Sequence, residues 1–168
     1  MSLLYIFAQL IGVIAIVFLV LSFQVNDKDK LLKFQIISSF LNFFQYLFLG
    51  GLTGAFMNLV AGFRNIVFRK CGDKKIPVSI LIVFILLITF LSSLSYSSDV
   101  SLIPMLAVLN YSYALWTGDL RLIRLLNVFS SSLFCVYDVF VCSIAGFILH
   151  IMELGSALSG IYKFDIKK

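Results

Sequence analysis

Long apolar runs separated by short polar breaks make up this chain. The run from Ile76 to Ser98, IPVSILIVFILLITFLSSLSYSS, holds 23 residues without a charge or a glycine. As a helix rising about 1.5 Å per residue it reaches roughly 34 Å, enough to cross a hydrocarbon core of about 30 Å. Leu3 to Val25 is a run of the same kind. It has no basic n-region, so it reads as a retained helix and not as a cleaved signal peptide. The remaining runs predict helices at about Leu31–Leu49, Ala55–Phe68, Pro104–Trp116 and Leu122–Val141, with a last one ending near Phe164. The third and fifth of these seven are short enough to be partly re-entrant.

The breaks are of two kinds, and they alternate. Lys28, Lys30 and Lys33 follow the first helix. Arg69, Lys70, Lys74 and Lys75 follow the third, Arg121 and Arg124 the fifth, and Lys163, Lys167 and Lys168 the last. The breaks between carry no Lys or Arg; Gly50-Gly51-Leu52-Thr53-Gly54 and Cys142–Gly146 read as tight uncharged turns. Arg64 interrupts the third segment near its cytoplasmic end, where its long side chain is expected to snorkel to the interface. Because positive charge stays in the cytoplasm, the alternation predicts a multi-pass protein with its N-terminus outside and its C-terminus inside.

Sliding the first half by 92 positions aligns Asp27 with Asp119, Ser38 with Ser130 and Ser39 with Ser131. It also aligns Leu41 with Leu133, Phe48 with Phe140 and Gly54 with Gly146, and sets Gln35 against Asn127. The order charged loop, polar-striped helix, uncharged turn, helix, basic end occurs twice. The expected architecture is therefore an all-α membrane domain of seven transmembrane helices in a 3+1+3 arrangement. Residues 3–70 form one triple-helix repeat, 76–98 a linker helix and 101–165 a second repeat in the same orientation, as in transporters built from parallel repeats.

Composition agrees: 61% of residues are hydrophobic and 12% charged, with a mean hydropathy of +1.08. Soluble domains carry about 45–50% and 25%. The net charge of +5 would suit a nucleic-acid partner, but the basic residues sit at connectors, so it reports orientation instead. Cys71, Cys135 and Cys142 have no disulfide or metal spacing.

The polar residues inside the apolar runs carry the candidate chemistry, since an unpaired polar group in hydrocarbon costs several kcal/mol and must face protein or water. Gln35, Ser38, Asn42 and Gln45 share one helical face. Gly54, Asn58, Gly62 and Asn65 share another, as do Asn127, Ser131 and Asp138 beside Tyr137, and Gly146, His150 and Glu153. Two readings are open for the amides and hydroxyls: helix-to-helix hydrogen bonds, or the lining of a solute path. Asp138, His150 and Glu153 favour the path, because ionisable groups at depth are rare and usually functional. Glu153 also has the option of pairing with Arg64 or His150. The expected binding set is Asn42, Gln45 and Asn58 from one half and Tyr137, Asp138, His150 and Glu153 from the other, around a small polar solute, with no metal and no cofactor. Trp116 and the tyrosines read as interfacial anchors.

An enzyme is the less favoured alternative. The chain has one histidine, no HExxH order, no G-x-S-x-G elbow and no P-loop or dinucleotide fingerprint. A non-transporting component, such as an assembly factor or lipid-binding subunit, also stays open, and a homo-oligomer is compatible with the sequence. The lipid bilayer is the expected partner.

AQLIGVIAIVFLVLSF with the Asn-Asp-Lys loop after it (residues 8–28), SLIP at 101–104, YALW at 113–116 and CSIAGF at 142–147 resemble the YgjV-type bacterial inner membrane proteins. The resemblance implies a location in the bacterial inner membrane. The architecture is in turn similar to the SWEET, PQ-loop and PnuC carriers, in which substrates sit between two triple-helix bundles and an Asn on a bundle's third helix is prominent. That likeness points to Asn58, whose counterpart in the second half is His150. The Pro-Gln pair of the PQ-loop proteins is missing from the first helix, which contains no proline.

Overall fold

The computed structural model describes residues 3–72, 76–94, 96, 99–140 and 144–166. Among these the chain folds into seven α-helices without strands. They are α1 (Leu3–Phe23), α2 (Lys28–Phe48), α3 (Leu52–Lys70), α4 (Val78–Leu94), α5 (Leu102–Thr117), α6 (Leu120–Phe140) and α7 (Ile144–Ile161). A 3-10 turn (Asp99–Ser101) leads into α5, and α7 runs on into a π turn (Tyr162–Ile166).

Local chemistry explains where these helices begin and end. α2 starts three residues ahead of the expected Leu31 because Asp27 caps it. Asp27 is extended (φ −144), and its side chain accepts a hydrogen bond from the Lys30 N–H at 3.0 Å. Gly50 ends α2 in the left-handed region (φ 78), which only glycine enters freely. α3 then covers Leu52–Lys70, longer at both ends than the expected Ala55–Phe68. Its first turn packs on α2, where a Cβ at Gly54 would meet the Tyr46 ring at 2.9 Å. The regular helix of the long apolar run is Val78–Leu94, 17 residues or about 26 Å. It starts directly after Pro77; Ser97 and Ser98 at the far end of the run lie outside the described residues. α5 begins at Leu102, two residues before Pro104, which sits in the first turn where its missing N–H takes no hydrogen bond away. Cys142 lies outside the described residues, while Cys71 and Cys135 are free thiols.

α2 packs between α1 and α3, and α6 packs between α5 and α7. α4 bridges α3 and α5, and the two groups meet through α1 against α7 and α3 against α5. Pairing α1 with α5, α2 with α6 and α3 with α7 carries each of these two contacts onto the other. Hydrogen bonds follow the same 92-residue register. Ser38 Oγ donates to the Ala15 carbonyl at 2.8 Å, and Ser130 Oγ donates to the Ala107 carbonyl at 3.0 Å. In the first turns, Leu31 N donates to Asp27 O and Ile123 N to Asp119 O, both at 2.9 Å.

The surface is apolar and the interior is partly polar, the reverse of a soluble domain. Leu4, Phe7, Leu10, Val13 and Val17 of α1 point outward, as do Ile82, Val83, Leu86 and Phe90 of α4 and Val136, Val139 and Phe140 of α6. Gln35, Ser38, Arg64, Asn65, Asn127, Ser131, Asp138 and Glu153 are buried. An exposed apolar shell of this extent needs another apolar phase to cover it. By length and composition α1 and α6 are each able to cross a membrane; α4 and α5 are shorter apolar helices.

The charged breaks gather at one end. Arg69 pairs with Asp29 at 2.7 Å, which holds the Asp29 carboxyl below the ordinary range, through the hydrogen bond first and the guanidinium charge after it. Arg124 reaches Asp165 at 3.1 Å, Asn26 Oδ1 at 3.0 Å and the Val25 carbonyl at 3.3 Å. Trp116 Nε1 donates to the Ile76 carbonyl at 2.8 Å, tying the end of α5 to the start of α4.

Candidate functional site

Between the two three-helix groups lies a cavity with room for several water-sized molecules, ≈ 120 Å³ measured at their centres. α2 contributes Gln35, Ser38, Asn42 and Tyr46 to its wall, and α3 contributes Asn58, Arg64 and Asn65. Tyr111 of α5, Asn127 and Phe134 of α6, and His150 and Glu153 of α7 complete it. The wall is mixed: Ile16 and Leu19 of α1, Met57, Val108 and Leu149 stand among these polar groups.

Four of the seven residues singled out by sequence meet at this cavity: Asn42, Asn58, His150 and Glu153. Asn42 Oδ1 is buried without a hydrogen-bond partner. Asn58 Nδ2 donates to the Gly54 carbonyl one turn back at 2.9 Å. His150 is held on two sides. Its ring stacks on Phe134 with centroids 4.8 Å apart and planes 8° from parallel, and its Nδ1 lies 2.7 Å from Asp138 Oδ2. Phe134 and Asp138 are four residues apart and so share one face of α6. Glu153 is 7% exposed and hydrogen-bonds with Asn127 and Ser131.

The other three stand elsewhere. Asp138 is 2% exposed and lies behind His150, off the cavity wall, where it fixes the imidazole. Gln45 turns to α1 and fills the space that Gly12 leaves: a Cβ on Gly12 would collide with the Gln45 amide carbon at 2.5 Å. Its Oε1 is buried without a partner. Tyr137 is partly buried on α6 outside the wall.

Sequence reasoning missed Arg64 and Tyr111. Arg64 does not snorkel outward. It is 2% exposed and lines the cavity, because α3 continues six residues beyond it to Lys70, about 9 Å of further helix. Its Nε and NH2 donate to Asn65 Oδ1 at 3.2 and 3.1 Å, and its NH1 donates to Ser112 Oγ at 2.6 Å and to the Val108 carbonyl at 3.5 Å. The guanidinium carbon sits 5.5 Å from the centroid of the Tyr111 ring. Tyr111 is no interfacial anchor: its hydroxyl accepts from Gln35 Nε2 inside the bundle. The available signal for Arg64 was its place in the register, three residues after Ala61 and seven after Met57, both of which also line the cavity. Among the described residues no group of three or more His, Cys, Asp or Glu is placed to hold a metal ion.

A family model, Imp-YgjV, described as bacterial inner membrane protein, matches residues 6–168. No curated protein and no solved structure matches. The match covers almost the whole chain, and the chain belongs to this bacterial inner membrane protein family.

Proposed function

We propose that this bacterial inner membrane protein is a small-solute carrier of SWEET-like architecture and not an enzyme, with its substrate site in the cavity between two three-helix bundles. The bundles are the repeats 3–70 and 101–165, joined by the linker run 76–98, and all seven helices cross the bilayer. The observation that carries this reading is a cavity to which both bundles contribute polar side chains, inside a shell whose outer face is apolar. A protein that only needed stable packing in lipid would not keep an arginine, a glutamate and an Asp–His pair around one internal space, since each costs free energy to place there.

In this reading Asn42, Asn58, Tyr111 and Asn127 hydrogen-bond the solute, and Glu153 and Arg64 supply charge. Asp138 orients His150 through the contact to its Nδ1. The single contacts of α1 on α7 and of α3 on α5 are the surfaces on which the bundles would rock to open the cavity to either side. Because the charged breaks gather at one end, the positive-inside rule puts that end and the C-terminus in the cytoplasm, and the N-terminus outside.

The test is uptake of a labelled mixture of small polar solutes into proteoliposomes holding the wild type, Asn58→Ala or Asp138→Asn. The expected outcome is uptake by the wild type, a loss of tenfold or more with Asn58→Ala, and a smaller loss for Asp138→Asn. Equal accumulation in loaded and protein-free vesicles removes the carrier reading.

A further inference from the structure

An arginine and a glutamate face this cavity, one from each bundle, and among the described residues neither forms a salt bridge. Arg64, on α3, is met by neutral oxygens of Asn65, Ser112 and Val108 and by the Tyr111 ring. Among the described residues no carboxylate lies within salt-bridge distance of it; the ion pairs present are Arg69–Asp29, Arg124–Asp165 and His150–Asp138. Glu153, on α7, is met by the His150 imidazole, Asn127 and Ser131, and among the described residues no lysine or arginine pairs with it. His150, one turn before it, gives its Nδ1 to Asp138. A buried ion without a salt bridge keeps much of its desolvation cost, and that cost falls when an opposite charge arrives.

We infer that the solute is a small zwitterion carrying both a carboxylate and an ammonium group, with Arg64 receiving the carboxylate and Glu153 the ammonium. This rests on the carrier reading above. In the 92-residue register Glu153 corresponds to Ala61 of α3, one turn from Arg64 on that helix. The two side chains therefore stand about one helical turn, roughly 4.5 Å, apart in depth, and both line the same cavity. NH2 of Arg64 has two hydrogens, and among the described residues it forms one bond, to Asn65. Asn42 Oδ1, buried and unpartnered, is a further acceptor on the same wall. A monoanion would leave Glu153 unmatched, a monocation would leave Arg64 unmatched, and a neutral sugar would match neither.

The experiment is thermal stabilisation and calorimetry of the full chain in lipid nanodiscs. The probes are the common L-amino acids, the corresponding amines without the carboxylate, the corresponding carboxylic acids without the amine, and a set of neutral sugars and polyols. The expected result is that one or more amino acids bind, and that their amine and acid counterparts bind at least tenfold more weakly. Arg64→Gln should lose amino-acid binding and Arg64→Lys should keep part of it. Glu153→Gln should bring the deaminated acid level with the amino acid, a change of rank that misfolding would not produce. Binding of a neutral sugar that Arg64→Gln leaves unchanged, or equal binding of acid and amino acid by the wild type, would overturn the zwitterion while leaving a carrier. No binding by any probe, together with no proteoliposome uptake, would overturn both.

Discussion

The two bundles place their helices alike and fill the matching positions differently. Where α3 has Asn58, Ala61, Arg64 and Phe68, the 92-residue register gives α7 His150, Glu153, Ser156 and Gly160. The first bundle brings a cation to the cavity and the second an anion and an imidazole. Across the bundle contacts the difference continues: Arg64 donates to Ser112 of α5, and Ser156, its counterpart, donates to the Val20 carbonyl of α1 at 2.8 Å. Val20 and Ser112 are themselves 92 apart, so one interface position is an arginine reaching a hydroxyl and its mate a hydroxyl reaching a carbonyl.

The contrast is sharpest at the charged end. Phe68, Leu32 and Leu115 belong to one buried apolar cluster, and Phe68 meets Phe84 of α4 edge to face at 5.9 Å. The matching positions are Gly160, Arg124 and Phe23. Without a side chain at Gly160 there is space for the Arg124 guanidinium, which turns to Asp165, Asn26 and the Phe164 ring, 4.8 Å to its centroid. A Cβ on Gly160 would lie 2.6 Å from the Phe23 carbonyl. One geometry thus holds either an apolar plug or an ion pair, according to whether Leu32 and Phe68 or Arg124 and Gly160 occupy the matched positions.

Substitutions at these matched sites test the contrast. Phe68→Ala opens a cavity in the apolar plug and is expected to lower stability by about 3 kcal/mol or more, and Arg124→Ala, which strands Asp165, by a similar amount. Gly160→Ala forces α7 off the α1 backbone and is expected to cost about 1–3 kcal/mol. Midpoints of unfolding in detergent measure all three, and a neutral Gly160→Ala would break the account of that end. Ser38→Ala removes the hydrogen bond to the Ala15 carbonyl and should cost about 1 kcal/mol or less; Ser130→Ala removes the matching bond and also the acceptor of Asn110 Nδ2, 2.8 Å away, and should cost more, so equal costs would break that distinction between the halves. The smallest effect belongs to the exposed Asp29–Arg69 pair. Its carboxyl is lowered from 3.8, so the stability it adds is present above that value and lost as pH falls below it. Asp29→Asn should remove that part of the acid dependence and leave neutral-pH stability nearly unchanged.

The helix count, the helix order and the sorting of charged and uncharged turns were legible, because apolar length and the positions of Lys and Arg report them directly. The inward faces were legible too: Asn42, Asn58, His150 and Glu153 reach one cavity as their helical spacing implied. Gln45 shares that spacing but faces α1, since periodicity gives a direction around the helix and not the neighbour that stands there. The slot it occupies exists only because Gly12, 33 residues earlier, has no side chain. Arg64 was misplaced for a related reason. Its depth depends on where α3 ends, and helix ends are set by caps and packing more than by hydropathy.

The sequence by itself determined an all-α membrane chain with polar faces to enclose and basic ends to keep together, because the costs of exposing backbone and charge to hydrocarbon act on each segment separately. Tertiary structure decided which polar groups meet, that Asp138 stands behind His150, and that Arg64 and Glu153 face one cavity from opposite bundles. Those outcomes depend on how α3, α5, α6 and α7 approach one another, and side-chain volumes far apart in the chain set that approach.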